Sequence, residues 1–156
     1  MAAVLHRGAF VMETSPHPAT SAERESISSR TTIGQVMTPA PHTIGSDQTL
    51  AQAHKVMREH DLRHLPVLRG GKLVGVLSQR DLYFLESIAV VDVDLDCVAD
   101  AMTPDVFCAA PEDTVRDVAR IMANRKYGCA VVVQSGRLLG IFTATDALRE
   151  LADALD

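Results

Sequence analysis

Two short segments carry the residues best suited to chemistry. Gly75-Val76-Leu77-Ser78-Gln79-Arg80-Asp81 recurs as Gly140-Ile141-Phe142-Thr143-Ala144-Thr145-Asp146, an offset of 65 residues (140 − 75). Each copy reads glycine, two apolar residues, a hydroxyl, two spacers and an aspartate. A hydroxyl three residues ahead of an aspartate suits the point where a strand ends and a helix begins. The first N–H groups of the helix lack partners there and are partially positive, which favours a phosphate. Ser78 or Thr143 can donate a further hydrogen bond to that phosphate. Ionised Asp81 or Asp146 only accepts, and so suits a vicinal diol such as the hydroxyls of a ribose. Gly75 and Gly140 let a ligand or another backbone come close to the strand. The same residues also have a plainer use, since Ser, Thr and Asp commonly cap helices. Capping and binding are compatible, and both readings stand.

The elements that must position these residues are themselves duplicated at the same offset. Met37-Thr38-Pro39 returns as Met102-Thr103-Pro104, Thr49 as Thr114, Met57 as Met122, Val67 as Val132 and Gly71 as Gly136. A repeat this regular fixes the architecture before any residue is interpreted. In the first copy Ile33–Met37 reads as a helical turn that stops before Pro39, and His42-Thr43-Ile44 as a short extended piece. Asp47 or Thr49 caps a helix whose Leu50, Ala53 and Met57 share one face. Leu65–Leu68 and Leu73–Leu77 read as a hairpin around Gly70-Gly71, and Asp81 opens a second helix. The second copy repeats this, with Asp113 or Thr114 as cap, Ala130–Val133 and Leu138–Phe142 as hairpin around Ser135-Gly136, and a closing helix from Asp146. The expected fold is therefore α/β: two β-α-β-β-α units related by a pseudo-two-fold axis, sheets face to face and helices outside. Residues 31–90 form the first repeat, 91–97 an acidic connector and 98–156 the second. Residues 1–30, dominated from Glu13 onward by Ser, Thr, Pro and charge, are expected to be a disordered extension.

Composition excludes several classes. Net charge is −5 and aromatics make up 4% of the chain with no Trp, which argues against a general nucleic-acid binder. A small phosphorylated ligand needs only a local positive pocket and is not excluded. The 3 cysteines, Cys97, Cys108 and Cys129, form no C-x-x-C pair, which fits a reducing, cytoplasmic setting without a zinc site. His60 and His64 are separated by a helix end and a strand start, so no metal is expected. No apolar run approaches the roughly 20 residues of a membrane span. A nucleophile elbow and a P-loop are both missing, so catalysis is the least supported class.

The ordered recurrence of Met-Thr-Pro, the Thr-Leu-x-x-Ala-x-x-x-Met helix, Arg63-His64-Leu65-Pro66-Val67 and the two Gly…Ser/Thr-x-x-Asp endings resembles a tandem pair of cystathionine β-synthase (CBS) domains over about residues 31–150. The resemblance implies a regulatory module binding adenosyl ligands (AMP, ADP, ATP, S-adenosylmethionine or NAD species) in two composite clefts. It groups Thr143, Thr145 and Asp146 with Thr38, His42, Ile44, Arg63 and His64 in one. In the other it groups Ser78, Arg80 and Asp81 with Thr103, Phe107, Ala109, Gly128 and Cys129. Arg80 suits a phosphate, whereas its counterpart is Thr145, and Arg63-His64 are replaced by Gly128-Cys129, so the clefts are expected to differ in ligand. His64 and Cys129 also fit plain packing roles. The apolar stripe Leu148, Leu151, Ala152 and Leu155 fits either core or the homodimer contact that the family implies. The alternative to a sensor is a structural dimer whose clefts are filled by its own side chains. The downstream effector protein is unknown.

Overall fold

The computed structural model describes residues 31–88 and 90–155. The extension expected at residues 1–30 lies outside the described residues. The first half runs α1 (Ile33–Val36), β1 (Thr38–Pro39), β2 (Ile44–Gly45), α2 (Leu50–Glu59), β3 (His64–Arg69), β4 (Lys72–Ser78) and α3 (Gln79–Glu86). The second runs α4 (Val98–Ala101), β5 (Cys108–Ala109), α5 (Val115–Arg125), β6 (Cys129–Gln134), β7 (Arg137–Thr143) and α6 (Ala144–Leu155).

The internal repeat survives down to single hydrogen bonds. His64 stands opposite Ser78 and Cys129 opposite Thr143, and the register shifts after Val67 in one hairpin and after Val132 in the other. Both hairpins turn through two residues with positive φ, Gly70-Gly71 and Ser135-Gly136, the geometry whose twist matches that of the flanking strands. Thr49 and Thr114, rather than the preceding acids, cap α2 and α5 by accepting from the N–H groups of Gln52 and Asp117.

The sheets are ordered β2-β3-β4 and β1-β7-β6-β5, so β1 of the first half completes the sheet of the second. Thr38 pairs with Ile141 and Pro39 with Gly140. In return Thr103 bridges Val76, each backbone N–H bonding the other's carbonyl at 2.8 and 3.0 Å. The opening turns are exchanged too. Ile33 is buried among Ala109, Val118, Met122, Ala130, Val132 and Phe142, while Val98 is buried among Ile44, Leu50, Ala53, Met57, Leu65, Val67, Leu77 and Leu82. Gly75 and Gly140 make the exchange sterically feasible. A Cβ on Gly75 would lie 2.5 Å from Met102 Sδ and 3.0 Å from the Thr103 carbonyl, and one on Gly140 would fall on Met37.

Leu65 and Val67 face the helices, so the intervening Pro66 points the other way, yet it is fully buried; Val131 repeats this in the second half. Burial on both faces of each hairpin is what two sheets packed against each other produce, with the helices outside.

Candidate functional site

Each repeated segment folds into a strand end, a hydroxyl and the first turn of a helix. The helices begin at Gln79 and Ala144, two residues earlier than expected, because the hydroxyls supply the caps. Ser78 Oγ accepts from the Asp81 N–H at 3.1 Å and donates to Asp81 Oδ2 at 2.6 Å. Thr143 Oγ1 accepts from the Asp146 N–H at 3.3 Å and donates to Asp146 Oδ2 at 2.7 Å. Each aspartate thus sits at the third helical position, where its charge favours the helix dipole, and is hydrogen-bonded to the hydroxyl three residues before it.

The surroundings of the two grips differ. Gln79 N–H bonds the Arg63 carbonyl and Ala144 N–H the Gly128 carbonyl, so each strand start lies at the mouth of its own grip. On the first grip the His64 side chain shares a sheet face with its cross-strand partner Ser78. Its pKa is lowered, chiefly by burial, with Arg63 and Arg80 adding to the fall and Asp81 opposing it. His64 therefore lies within electrostatic range of Asp81, Arg63 and Arg80. The resemblance groups Arg63 and His64 with Asp146; the antiparallel register also sets His64 beside the hydroxyl of its own hairpin. The imidazole also reaches the other half. A Cβ on Gly128 would lie 2.6 Å from His64 Nε2, so the glycine leaves room for the ring where the two repeats meet.

On the second grip Cys129 faces Thr143 across the strands. Burial pushes its thiol up to about 12, leaving it protonated and inert as a nucleophile. Thr145 is exposed. Thr38 and Thr103 reach the strands leading to Thr143 and Ser78, respectively. Ile44 and Ala109 are buried in the helix-side cores, so only their backbones are available to a ligand. His42 stacks on His60 with ring centroids 3.8 Å apart, and Phe107 on Tyr127 at 5.4 Å. Two participants were missed from sequence: Tyr127, beside Gly128, and Arg149, whose Nη1 donates to Asp146 Oδ1 at 2.9 Å. The i, i+3 spacing of Asp146 and Arg149 on a helix was the available signal. Among the described residues no group of three or more His, Cys, Asp or Glu side chains is placed to hold a metal, and no helix is long and apolar enough to cross a membrane.

The CBS-domain family model matches residues 33–86 and 98–153, both copies of the repeat. The chain belongs to the CBS-domain family. An inosine-5′-monophosphate dehydrogenase from Korarchaeum cryptofilum is 38% identical over 105 residues, 67% of this chain but 21% of that enzyme; the chain thus spans about a fifth of that relative's length. Two solved CBS proteins share the fold. One is the CBS domain pair of protein MJ0100 in complex with 5′-methylthioadenosine and S-adenosyl-L-methionine, 26% identical, covering 79% of this chain and 97% of that one, with a TM-score of 0.72. CBSX2, in complex with AMP, is 27% identical and covers 81% of this chain and 99% of that one, with a TM-score of 0.71. The CBS pair here has the same tandem architecture, and its grips fall inside both matched repeats.

Because burial favours the neutral imidazole, His64 gives a pH prediction. The unfolded chain takes up a proton at His64 as pH falls through 6.5, while the folded chain does so only at lower pH. Between those values the unfolded state holds more protons, so acidification through that window destabilises the fold. Unfolding midpoints measured across it should fall with pH in the parent and flatten in His64→Gln; parallel profiles would remove His64 as the cause.

Proposed function

We propose that this CBS pair is a regulatory module that binds adenosine-containing ligands (AMP, ADP or ATP, with S-adenosylmethionine and NAD species in the same class) in clefts between its repeats. It acts by binding rather than catalysis, in a reducing cytoplasmic setting. Occupancy is passed on through dimer geometry or the surface offered to a partner protein. The observation that carries this reading is the twice-built hydroxyl–aspartate grip at a helix N-terminus. The solved relatives with 5′-methylthioadenosine, S-adenosyl-L-methionine and AMP support the ligand class. Ligand binding transmits a signal only through different affinity for two states of the protein.

In this reading Asp81 or Asp146 accepts from the ribose diol, and the helix N-terminus, Ser78 or Thr143 receives a phosphate. The first cleft offers Arg63, His64 and Arg80 to a phosphate chain; its counterpart offers Gly128, Cys129 and Thr145. Thr38, His42, Ile44, Thr103, Phe107 and Ala109 line the adenine ends. A nucleotide at about 100 times its dissociation constant should add roughly 2.7 kcal/mol of apparent stability. A flat thermal-shift response to AMP, ADP, ATP, 5′-methylthioadenosine, S-adenosylmethionine and NAD(H) would leave the structural dimer as the better reading.

Self-association is supported by the outer helices. Phe84 on α3 and Leu148 on α6 are each 66% exposed, beside exposed Tyr83, Leu151 and Leu155. Exposed apolar side chains of this size are candidates for an interaction face, and α3 and α6 are the helices that carry the grips. Leu151→Asp is expected to move the protein from dimer to monomer in sedimentation equilibrium. A parent that is already monomeric would retire this arrangement.

A further inference from the structure

The two aspartates are not equally free. Asp146 Oδ2 accepts from both the N–H and the hydroxyl of Thr143, at 2.9 and 2.7 Å, and Oδ1 is held by Arg149 at 2.9 Å. The carboxylate is 13% exposed, whereas the arginine is 71% exposed. Asp81 Oδ2 accepts from Ser78 at 2.6 Å, and among the described residues no ion pair reaches Asp81. The residue equivalent to Arg149 is Phe84 (149 − 65), which has no donor. A carboxylate has about four lone-pair directions, so a diol can approach Asp81 through an oxygen that no cation covers. At Asp146 the corresponding oxygen already accepts from the Arg149 guanidinium.

We propose that Arg149 is a built-in competitor for the Asp146 carboxylate, so that the Asp81 cleft fills first and the Asp146 cleft fills only as the guanidinium is displaced. The proposal rests on the adenosine-binding reading and specifies the order in which its two sites are used. Arg149 is a positioning residue: it acts through Asp146 and its exposed stem lets it swing away. The contact is an exposed ion pair one turn along a helix, so its release changes affinity modestly, by about two- to fivefold.

The test is isothermal titration with AMP and, separately, 5′-methylthioadenosine. In an Asp81→Asn background, which leaves the Asp146 cleft as the intact grip, Arg149→Met should tighten binding by about two- to fivefold. Arg149→Lys keeps a cation and should stay near the parent. In an Asp146→Asn background Arg149→Met should change nothing. Unchanged or weaker binding in the Asp81→Asn background overturns the proposal, weaker binding because it makes Arg149 a direct ligand contact. Absence of any binding by the Asp81→Asn, Arg149→Met protein overturns it equally, while binding by the wild type keeps the adenosine reading. Loss in the wild type as well sinks both. Circular dichroism melting of each variant separates lost binding from lost fold.

Discussion

Ile33→Ala is expected to lower the unfolding free energy by about 2–5 kcal/mol, the range for truncating a large aliphatic side chain in a packed core. Ile33 is fully buried, and its neighbours are Ala109, Val118, Met122, Ala130, Val132 and Phe142, all from the second half. Its segment is bonded there as well: Ile33 N–H to the Asp113 carbonyl at 2.8 Å, Gly34 N–H to Pro111 at 2.8 Å, and Val115 N–H to Thr31 at 3.0 Å. Mutating a residue at the start of the first repeat should therefore loosen the second. Hydrogen exchange should show protection falling first in α5, β6 and β7 rather than in β3 and β4. A loss of less than about 1 kcal/mol, or loosening confined to the first hairpin, would contradict the exchanged arrangement. Val98→Ala is the mirror experiment, since Val98 N–H bonds the Gln48 carbonyl at 2.8 Å and its side chain enters the first core.

Most of the local architecture was legible because local rules decide it. The hairpins followed from apolar runs flanking Gly70-Gly71 and Ser135-Gly136, and the Thr49 and Thr114 caps from residue type and position. The helices start after Ser78 and Thr143, two residues before Asp81 and Asp146, because hydroxyl and aspartate are both capping types and only backbone geometry says which one caps. Gly75 and Gly140 were legible as points of close approach, but not what approaches them. That depends on Met37-Thr38 and Met102-Thr103 crossing to the opposite sheet, a long-range event with no signature in either segment. The site divides in the same way. The grips could be read from one segment each, whereas the neighbours of His64 depend on which residue faces it across β3 and β4. Arg149 is hidden in the sequence for a different reason: Asp146 has a ligand contact and a cap as competing uses, and i, i+3 spacing alone does not select the ion pair.

Asp81→Ala should weaken AMP binding by about 100-fold, the larger of the two effects expected from the paired aspartate substitutions. A diol bound to an ionised carboxylate makes hydrogen bonds worth about 1.5–3 kcal/mol each; losing two removes about 3 kcal/mol or more, which is at least two decades in affinity. Some stability goes too, because the carboxylate accepts from Ser78 Oγ and lies in the first turn of α3, where such a charge contributes about 0.3–1 kcal/mol. The two losses separate experimentally. Asp81→Asn keeps the size and a hydrogen-bonding group but not the charge, so it should retain more stability than Asp81→Ala while still losing most of the affinity. Asp146→Ala should cost less AMP affinity, since Arg149 already draws on that carboxylate in the free protein and the cationic Arg80 has only uncharged Thr145 as its counterpart. Titration calorimetry on the three variants would decide it. If Asp81→Ala binds AMP within about threefold of the wild type, the aspartate is a helix-turn residue and nothing more, and the ribose must be sought elsewhere on the chain.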